Sequence, residues 1–169
     1  LCQIYRRSAE FDHALQTARE LPGLAGSDPD CCFDAAVELL ALGEWEQGWN
    51  LYEQRFYGES KRFITPAGIE PRHSQEPPNG KRVIVFSEQG IGDSIMMASM
   101  VPDLQASAQE LTVLVQPRLE QLFRASFPDC MITTSIDQDL YHAADSCYGL
   151  GSLGQFFRTK LTDFPGTPF

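Results

Sequence analysis

Short apolar runs alternate with amphipathic stretches over the last half of the chain. Runs rich in β-branched and other apolar residues occupy 82–87, 111–115, 130–134 and 146–150, and helical spacing of apolar residues occupies 93–106 and 117–126. Short strands separated by helices of this length are typical of a parallel sheet with right-handed crossover connections. The pattern predicts an open α/β domain over residues 81–169.

The first third of the chain has a helical pattern instead. Apolar residues recur at helical spacing in 31–42, at Phe33, Ala36, Val37, Leu40 and Ala41, and a second helix is predicted at 45–56. A turn after residue 42 joins them. These two segments therefore predict a helical hairpin.

A repeat is visible in the same region. The stretch AEFDHALQTA from Ala9 aligns with GEWEQGWNLY from Gly43, and turn, aromatic and small residues all match at an offset of 34 residues. The small residue, Ala14 or Gly48, is expected to let two helices approach closely, while Phe11 or Trp45 covers the gap between them. Residues 1–57 thus resemble tetratricopeptide repeats, whose period is 34. An ordinary helical hairpin is the alternative, because helix packing alone produces such patterns.

An aromatic stripe follows the last helix of this region. It consists of Trp45, Trp49, Tyr52, Phe56 and Tyr57. Because the spacing follows one helix face, we interpret the stripe as core, with a peptide-binding groove as the alternative.

Residues 58–80 predict a proline-rich connector between the two regions. They contain four prolines and three glycines, and the N-G-K sequence at their end predicts a tight turn into the first strand. Since the chain begins on Leu1 within a helical pattern, we expect it to be a piece of a longer protein.

Composition narrows the class of protein. With 43% hydrophobic and 21% charged residues the chain is typical of a globular protein. Residues 1–62 hold 6 basic and 11 acidic side chains and residues 63–169 hold 7 and 12, so each part carries −5. Without a basic stripe, nucleic acid is not an expected partner.

The five cysteines and the apolar runs bear on location. The cysteines are odd in number and form no C-x-x-C pair, which favours free thiols in a reducing cytoplasm over disulfides or a zinc site. The longest apolar runs are too short to span a bilayer, so no transmembrane segment is predicted. We expect a cytoplasmic protein with no metal site.

The candidate chemistry lies in the string FSEQGIGDSIMMASMVP, from Phe86 to Pro102. Residues 87–93, called here the acidic loop, follow the first predicted strand, and Gln116 follows the second. Ligands of open parallel sheets bind beyond the carboxyl ends of the strands. Gly90 and Gly92 allow unusual backbone conformations and a close approach of ligand. A dinucleotide-binding motif is excluded, because Ile95 stands where its third glycine would be.

Asp93 has two interpretations at this position. It lies at the predicted start of a helix, where a carboxylate caps free N–H groups. A carboxylate at the mouth of a parallel sheet is also suited to act as a general base on a substrate hydroxyl.

The string SEQGIGDSIMMASMVPDL, with PPNGKRVIVF before it, resembles the start of the catalytic region of bacterial proteins that join tetratricopeptide repeats to a glycosyltransferase-like domain. That domain is similar to the ADP-heptose:lipopolysaccharide heptosyltransferases, which have two Rossmann-like halves in the GT-B arrangement. The resemblance implies that residues 81–169 are the acceptor-side half. The segment GLGSLGQFFRTKLTDFPGTPF resembles the family's serine-leucine-proline turn, with Gly154 in place of the proline.

The resemblance implies roles for individual residues. Asp93 matches the aspartate proposed as catalytic base, and the loop residues Glu88, Gln89, Gly90 and Gly92 match positions that bind or shape the substrate site. Ser94, Gln116 and Ser152 complete the predicted substrate-binding set. Where the family commonly has an arginine and aromatic residues after the aspartate, this chain has methionines, alanine and serine.

The implied activity is transfer of a hexosyl or heptosyl group from a nucleotide-sugar to the hydroxyl of a glycan, lipid or protein acceptor. The nucleotide-sugar is a co-substrate, and no other cofactor is expected. Because the second half of the GT-B arrangement carries most of the donor site, we expect no transfer by these 169 residues alone. The alternative is a non-catalytic interaction module that binds a protein partner through the repeat helices.

Overall fold

The computed structural model describes residues 7–24, 26, 28–59 and 76–166. Most of the predicted connector, residues 60–75, lies outside them, as does Cys2. The described residues divide into two compact units. One is helical and contains the residues up to 59 together with Arg158–Pro165; the other contains 76–157 and Gly166. The boundaries predicted at residues 57 and 80 divide the chain into successive segments, so they did not assign Arg158–Pro165 to the helical unit.

The helical unit is built from α1 (Phe11–Leu24), α2 (Pro29–Ala41) and α3 (Trp45–Tyr52), and a 3₁₀ turn, Glu53–Phe56, continues α3. Asp28 caps α2, because its Oδ2 accepts a hydrogen bond from the Cys31 N–H at 3.0 Å. Pro29 follows at the start of the helix, where its missing N–H costs nothing. The predicted hairpin is therefore present, although its second α-helix ends at Tyr52 rather than at 56.

Helix α2 packs against both α1 and α3, so its buried arc is wider than the apolar pattern predicted. Its buried apolar residues are Cys32, Phe33, Ala35, Ala36 and Leu39. Val37 was placed on the buried face but is 39% exposed, and Ala41 is exposed as well. Leu39 and Ala18 of α1 are fully buried and form the centre of this core.

Small residues allow the helices to approach closely. A Cβ added at Gly48 would lie 2.7 Å from Leu40 Cγ and 3.1 Å from the Leu40 backbone nitrogen, so no larger residue fits without movement. Ala14, its equivalent in the repeat, is fully buried. The aromatic positions are not equivalent. Phe11 is 55% exposed and covers no gap, whereas the Trp45 ring lies 5.1 Å from that of Phe164.

The aromatic stripe is mainly core. Trp49 and Tyr52 are buried, and the Tyr52 ring packs against Phe33 with the centroids 5.2 Å apart. The Trp49 indole N–H donates a hydrogen bond to the Arg158 carbonyl at 2.9 Å. Tyr57 is 59% exposed and does not belong to the core.

The second unit contains an open sheet of four parallel strands in the order β3-β2-β1-β4. The strands are β1 (Arg82–Phe86), β2 (Glu110–Leu114), β3 (Met131–Thr133) and β4 (Ser146–Gly149). Apart from Arg82, every residue of β1 is buried, as is usual for a central parallel strand covered on both faces. The α/β prediction and its four strands are confirmed. No helix among the described residues is long and apolar enough to cross a membrane.

The helices of this unit are shorter than predicted. They are α4 (Ile91–Met97), α5 (Val101–Ser107), α6 (Glu120–Ser126), α7 (Gln138–Ala143) and α8 (Gly154–Phe157), and 3₁₀ turns occupy Ala98–Met100, Pro117–Leu119 and Leu150–Leu153. The single helix predicted over 93–106 is wrong. Pro102 has no N–H to donate to the carbonyl four residues earlier, so the first helix ends and a second begins there.

The turn into β1 has the predicted form. Gly80 has a φ of 66°, and the Lys81 N–H donates to the Pro78 carbonyl at 3.2 Å. At the start of β1, Arg82 forms an ion pair with Asp145 at 2.9 Å. Hydrogen bonds from Arg82 lower the pKa of Asp145 to about 2, from an ordinary 3.8.

Candidate functional site

The strand register brings the predicted site residues to one edge of the sheet. Phe86, the last residue of β1, pairs with Leu114 of β2 and with Gly149 of β4. Because all three strands are parallel, the segments that follow them leave from the same edge. The acidic loop, Gln116 and the turn that contains Ser152 therefore share the carboxyl edge of the sheet.

Hydrogen bonds join the acidic loop to the segment after β2. The Gln116 backbone N–H donates to Ser87 Oγ at 3.1 Å, and its side-chain amide donates to the Gln89 carbonyl at 2.8 Å. Ser87 is buried, whereas Gln89 and Gln116 are half-buried. Gln116 thus holds the shape of the acidic loop.

Glu88 joins the acidic loop to the turn after β4. The residue is only 3% exposed, and Oε1 accepts a hydrogen bond from the Gly151 N–H at 2.9 Å. A Cβ added at Gly149 would lie 2.5 Å from Cδ and from both oxygens of this carboxylate. Glu88 therefore lies flat against a glycine and points into the protein rather than toward a ligand.

Asp93 is the exposed acid of the loop. It is the third residue of α4, which begins at Ile91 and not at Asp93 as predicted. Its Oδ2 accepts a hydrogen bond from the Gly90 N–H at 3.1 Å, which is a helix-capping contact. Within the described residues Oδ1 has no hydrogen-bond partner. One oxygen thus caps the helix and orients the carboxylate, and the other is open to solvent.

The two loop glycines do not require an unusual backbone. Gly90 has ordinary extended angles, φ −63° and ψ 167°, and neither it nor Gly92 has a positive φ. A Cβ at Gly92 would meet nothing within 4 Å. The expectation of a special conformation is wrong; what the glycines leave is an exposed, unobstructed backbone beside Asp93.

Ser94 and Ser152 are buried at 2% and 1% exposure. The Ser94 hydroxyl donates to the Gly90 carbonyl at 3.0 Å, and the Ser152 carbonyl accepts from the Gln155 side chain at 3.0 Å. Both residues support the turns in which they lie. Of the predicted set, only Gly90, Gly92 and Asp93 are exposed at the carboxyl edge.

Sequence reasoning missed an apolar surface next to Asp93. Ile91, Ile95 and Met96 are 37%, 38% and 60% exposed. Of the neighbouring methionines, Met97 and Met100 are buried instead. Among the described residues, no group of three or more His, Cys, Asp or Glu is placed to hold a metal ion.

The fold and this edge define an open parallel α/β domain with a polar loop at the carboxyl ends of its strands, in a chain that also contains a helical unit. Over 133 residues the chain is 36% identical to Protein FlbA of Caulobacter vibrioides (strain ATCC 19089 / CIP 103742 / CB 15), and the alignment covers 73% of the chain. The chain spans only 22% of the length of that curated relative. No family model and no solved structure matches the chain.

Proposed function

We propose that the chain is the acceptor-side part of a sugar transferase that takes a nucleotide-activated sugar. The observation that supports this best is the Asp93 carboxylate, which is exposed at the carboxyl edge of the sheet and has one oxygen that bonds to no described residue. In this proposal the α/β unit is one Rossmann-like half of a GT-B enzyme. A second half, in the longer protein, binds the donor.

The proposed chemistry is a direct displacement. Asp93 takes the proton from the acceptor hydroxyl while its oxygen forms a bond to the anomeric carbon of the sugar. The bond from that carbon to the nucleotide breaks, and the nucleotide leaves with the electron pair. The hydrogen bond from the Gly90 N–H to Oδ2 fixes the carboxylate, so that the free oxygen meets the hydroxyl in one orientation.

The neighbouring residues have supporting roles. The bare backbone of Gly90 and Gly92 gives an acceptor room to approach Asp93. Gln89 and Gln116 line the same edge at half-buried positions, while Glu88, Ser94 and Ser152 hold the surrounding turns. These buried residues contribute to the site by positioning rather than by contact.

The helical unit belongs to the same proposal. A buried small residue at both Ala14 and Gly48, 34 residues apart, supports interpretation of the helices as tetratricopeptide repeats. The buried thiol of Cys32 forms no disulfide with a described residue, which favours a reducing compartment, so we place the protein in the cytoplasm.

The test is Asp93→Asn in the longer protein. Asparagine keeps an acceptor oxygen for the Gly90 N–H but removes the base, so the fold should survive while transfer falls by a factor of roughly 10²–10⁴, the usual contribution of a general base. The measurement is release of nucleoside diphosphate, and labelling of cell extract, from radiolabelled UDP-, GDP- and ADP-sugars. Asp129→Asn, an exposed acid outside the carboxyl edge, is the matched control. Labelling by the Asp93→Asn variant at the level of the unsubstituted protein would contradict the proposed mechanism.

A second candidate function is a protein-interaction module. It is favoured by a cleft of about 550 Å³ whose lining residues all belong to the helical unit. If the protein acts as an interaction module, a gene that carries Asp93→Asn should restore the wild-type phenotype to a deletion strain in full. Failure of Asp93→Asn to complement would instead favour the transferase.

A further inference from the structure

The cleft of the helical unit lies between the end of α1 and the start of α3. It is lined by Arg19, Pro22, Gly43, Glu44, Trp45, Glu46, Gln47, Asn50, Leu51 and Thr159. Its volume falls within the range of about 300–1,000 Å³ that is usual for ligand pockets. Arg19 Nη2 and Glu44 Oε1, 2.6 Å apart, form an ion pair that joins α1 to the start of α3 at the cleft wall.

The lining combines apolar and polar groups from α1 and α3. Pro22 and Leu51 are half-buried and contribute apolar surface. Glu46, Gln47 and Asn50 are exposed, and Asn50 neighbours both of the others on the surface of α3 because it follows them by four and three residues. Trp49, which does not line the cleft, is buried and belongs to the core.

The polar groups of this surface are available to a ligand. Within the described part of the chain, the carboxamides of Gln47 and Asn50 have no hydrogen-bond partner. A carboxamide carries both donors and an acceptor, which matches the N–H and C=O of a peptide backbone. Two carboxamides about one helix turn apart can hold a chain that runs along the helix.

The charge of the lining selects the partner further. Glu44 is paired with Arg19, whereas Glu46 forms no ion pair with the described residues. Among the described residues, one negative charge of the lining is therefore left without an ion pair beside the carboxamides. A cationic side chain is attracted to this charge, and a phosphate or acidic segment is repelled.

We propose that this cleft binds an extended peptide segment that carries a lysine or arginine. Gln47 and Asn50 hydrogen-bond the peptide backbone, Glu46 pairs with the basic side chain, and the surfaces of Pro22, Trp45 and Leu51 contact the aliphatic part of the peptide. This inference rests on the second candidate function, and it is independent of the transferase.

The experiment titrates the full chain against fluorescein-labelled octapeptide pools and measures anisotropy. Each pool has a fixed central Lys, Arg, Ser or Glu and an equimolar mixture of Ala, Ser, Thr and Gly elsewhere. We expect the Lys and Arg pools to bind most tightly. The double variant Gln47→Ala/Asn50→Ala should raise Kd about 30-fold, since two hydrogen bonds are lost. Glu46→Gln should reduce the preference for Lys over Ser about fivefold.

Matched controls lie in the other unit, on exposed helix and strand positions. Gln105→Ala/Gln121→Ala removes two exposed carboxamides, and Glu110→Gln removes an exposed acid. Unchanged circular dichroism of each variant checks that the fold is retained. The proposal is overturned if no pool binds, if the Glu pool binds as tightly as the Lys pool, or if the cleft variants bind within twofold of the wild type. In the last case peptide binding itself would still support an interaction module, with its site elsewhere.

Discussion

Substitution of Gly149 by alanine tests the buried contact between Glu88 of the acidic loop and Gly149 at the end of β4. Gly149 has φ −68° and ψ 148°, which any residue adopts, so alanine introduces no backbone strain. The difficulty is space. The new Cβ would lie 2.5 Å from three atoms of the Glu88 carboxylate, which is buried and hydrogen-bonded to the Gly151 N–H. We therefore expect the carboxylate to be displaced.

The cost has two parts. Overpacking in a well-packed region costs about 1–3 kcal/mol, and loss of a hydrogen bond to a charged group costs about 1.5–3 kcal/mol. Because displacement of a side-chain end relieves part of the overlap, the two do not simply add. We expect the sheet to lose about 3 kcal/mol.

The assay is amide hydrogen exchange of β1 and β4, read residue by residue by NMR. Fluorescence is unsuitable because both tryptophans, Trp45 and Trp49, are in the helical unit. In the limit where exchange follows the opening equilibrium, a loss of about 3 kcal/mol speeds exchange on the order of 100-fold. Gly92→Ala is the matched control, since its Cβ meets nothing within 4 Å, and it should leave exchange of the strands unchanged.

A double-mutant cycle identifies the cause of the effect. In a Glu88→Ala background the space beside Gly149 is vacated, so Gly149→Ala should cost little, and the coupling between the two positions should reach about 2 kcal/mol. Strand protection equal to that of the wild type in Gly149→Ala, or an equal loss in both backgrounds, would refute the reasoning.

Two further predictions concern single contacts. Gly48→Ala places a Cβ 2.7 Å from Leu40 Cγ and should destabilise the helical unit by about 1–2 kcal/mol, because overpacking exceeds the gain in helix propensity. Urea unfolding followed by tryptophan fluorescence measures this against Gly23→Ala, whose Cβ meets nothing, and equal midpoints would contradict it. The pKa of Asp145 is lowered to about 2 by Arg82, so the stability this pair contributes is present above about pH 4 and is lost as the pH falls toward 2. Asp145→Asn should flatten the pH dependence of unfolding in that window, and an unchanged acid slope would show that the pair contributes nothing.

The strands could be predicted from sequence because their signal is local. Buried parallel strands are continuous apolar runs, and each predicted strand lies within one or two residues of the observed one. Helix α7 was missed because it is short and its stabilising contact, from the Leu140 N–H to the Asp137 carboxylate at 2.7 Å, is a cap rather than an apolar repeat. The cleft of the helical unit was also missed, since exposed carboxamides resemble any other solvated residues in a sequence.

The candidate site, like the fold, was predicted only in part from the sequence. The sequence placed Glu88, Asp93 and Gln116 after strands, and since parallel strands end at one edge, their common location followed. Which acid faces solvent did not follow. Glu88 and Asp93 are five residues apart and chemically alike, yet one is buried against Gly149 and the other is exposed.

The sequence by itself determined the class of fold, the order of its elements and the edge at which the polar loop lies, because periodicity and strand direction are properties of neighbouring residues. The tertiary structure decided which side chains are buried in internal hydrogen bonds, as Glu88 is, and which are exposed to solvent, as Asp93 is. It also returned Arg158–Pro165 to the helical unit, where the Arg158 carbonyl meets the Trp49 indole and Phe164 meets Trp45. The two contacts of this returning segment join residues more than a hundred positions apart, and no local pattern records them.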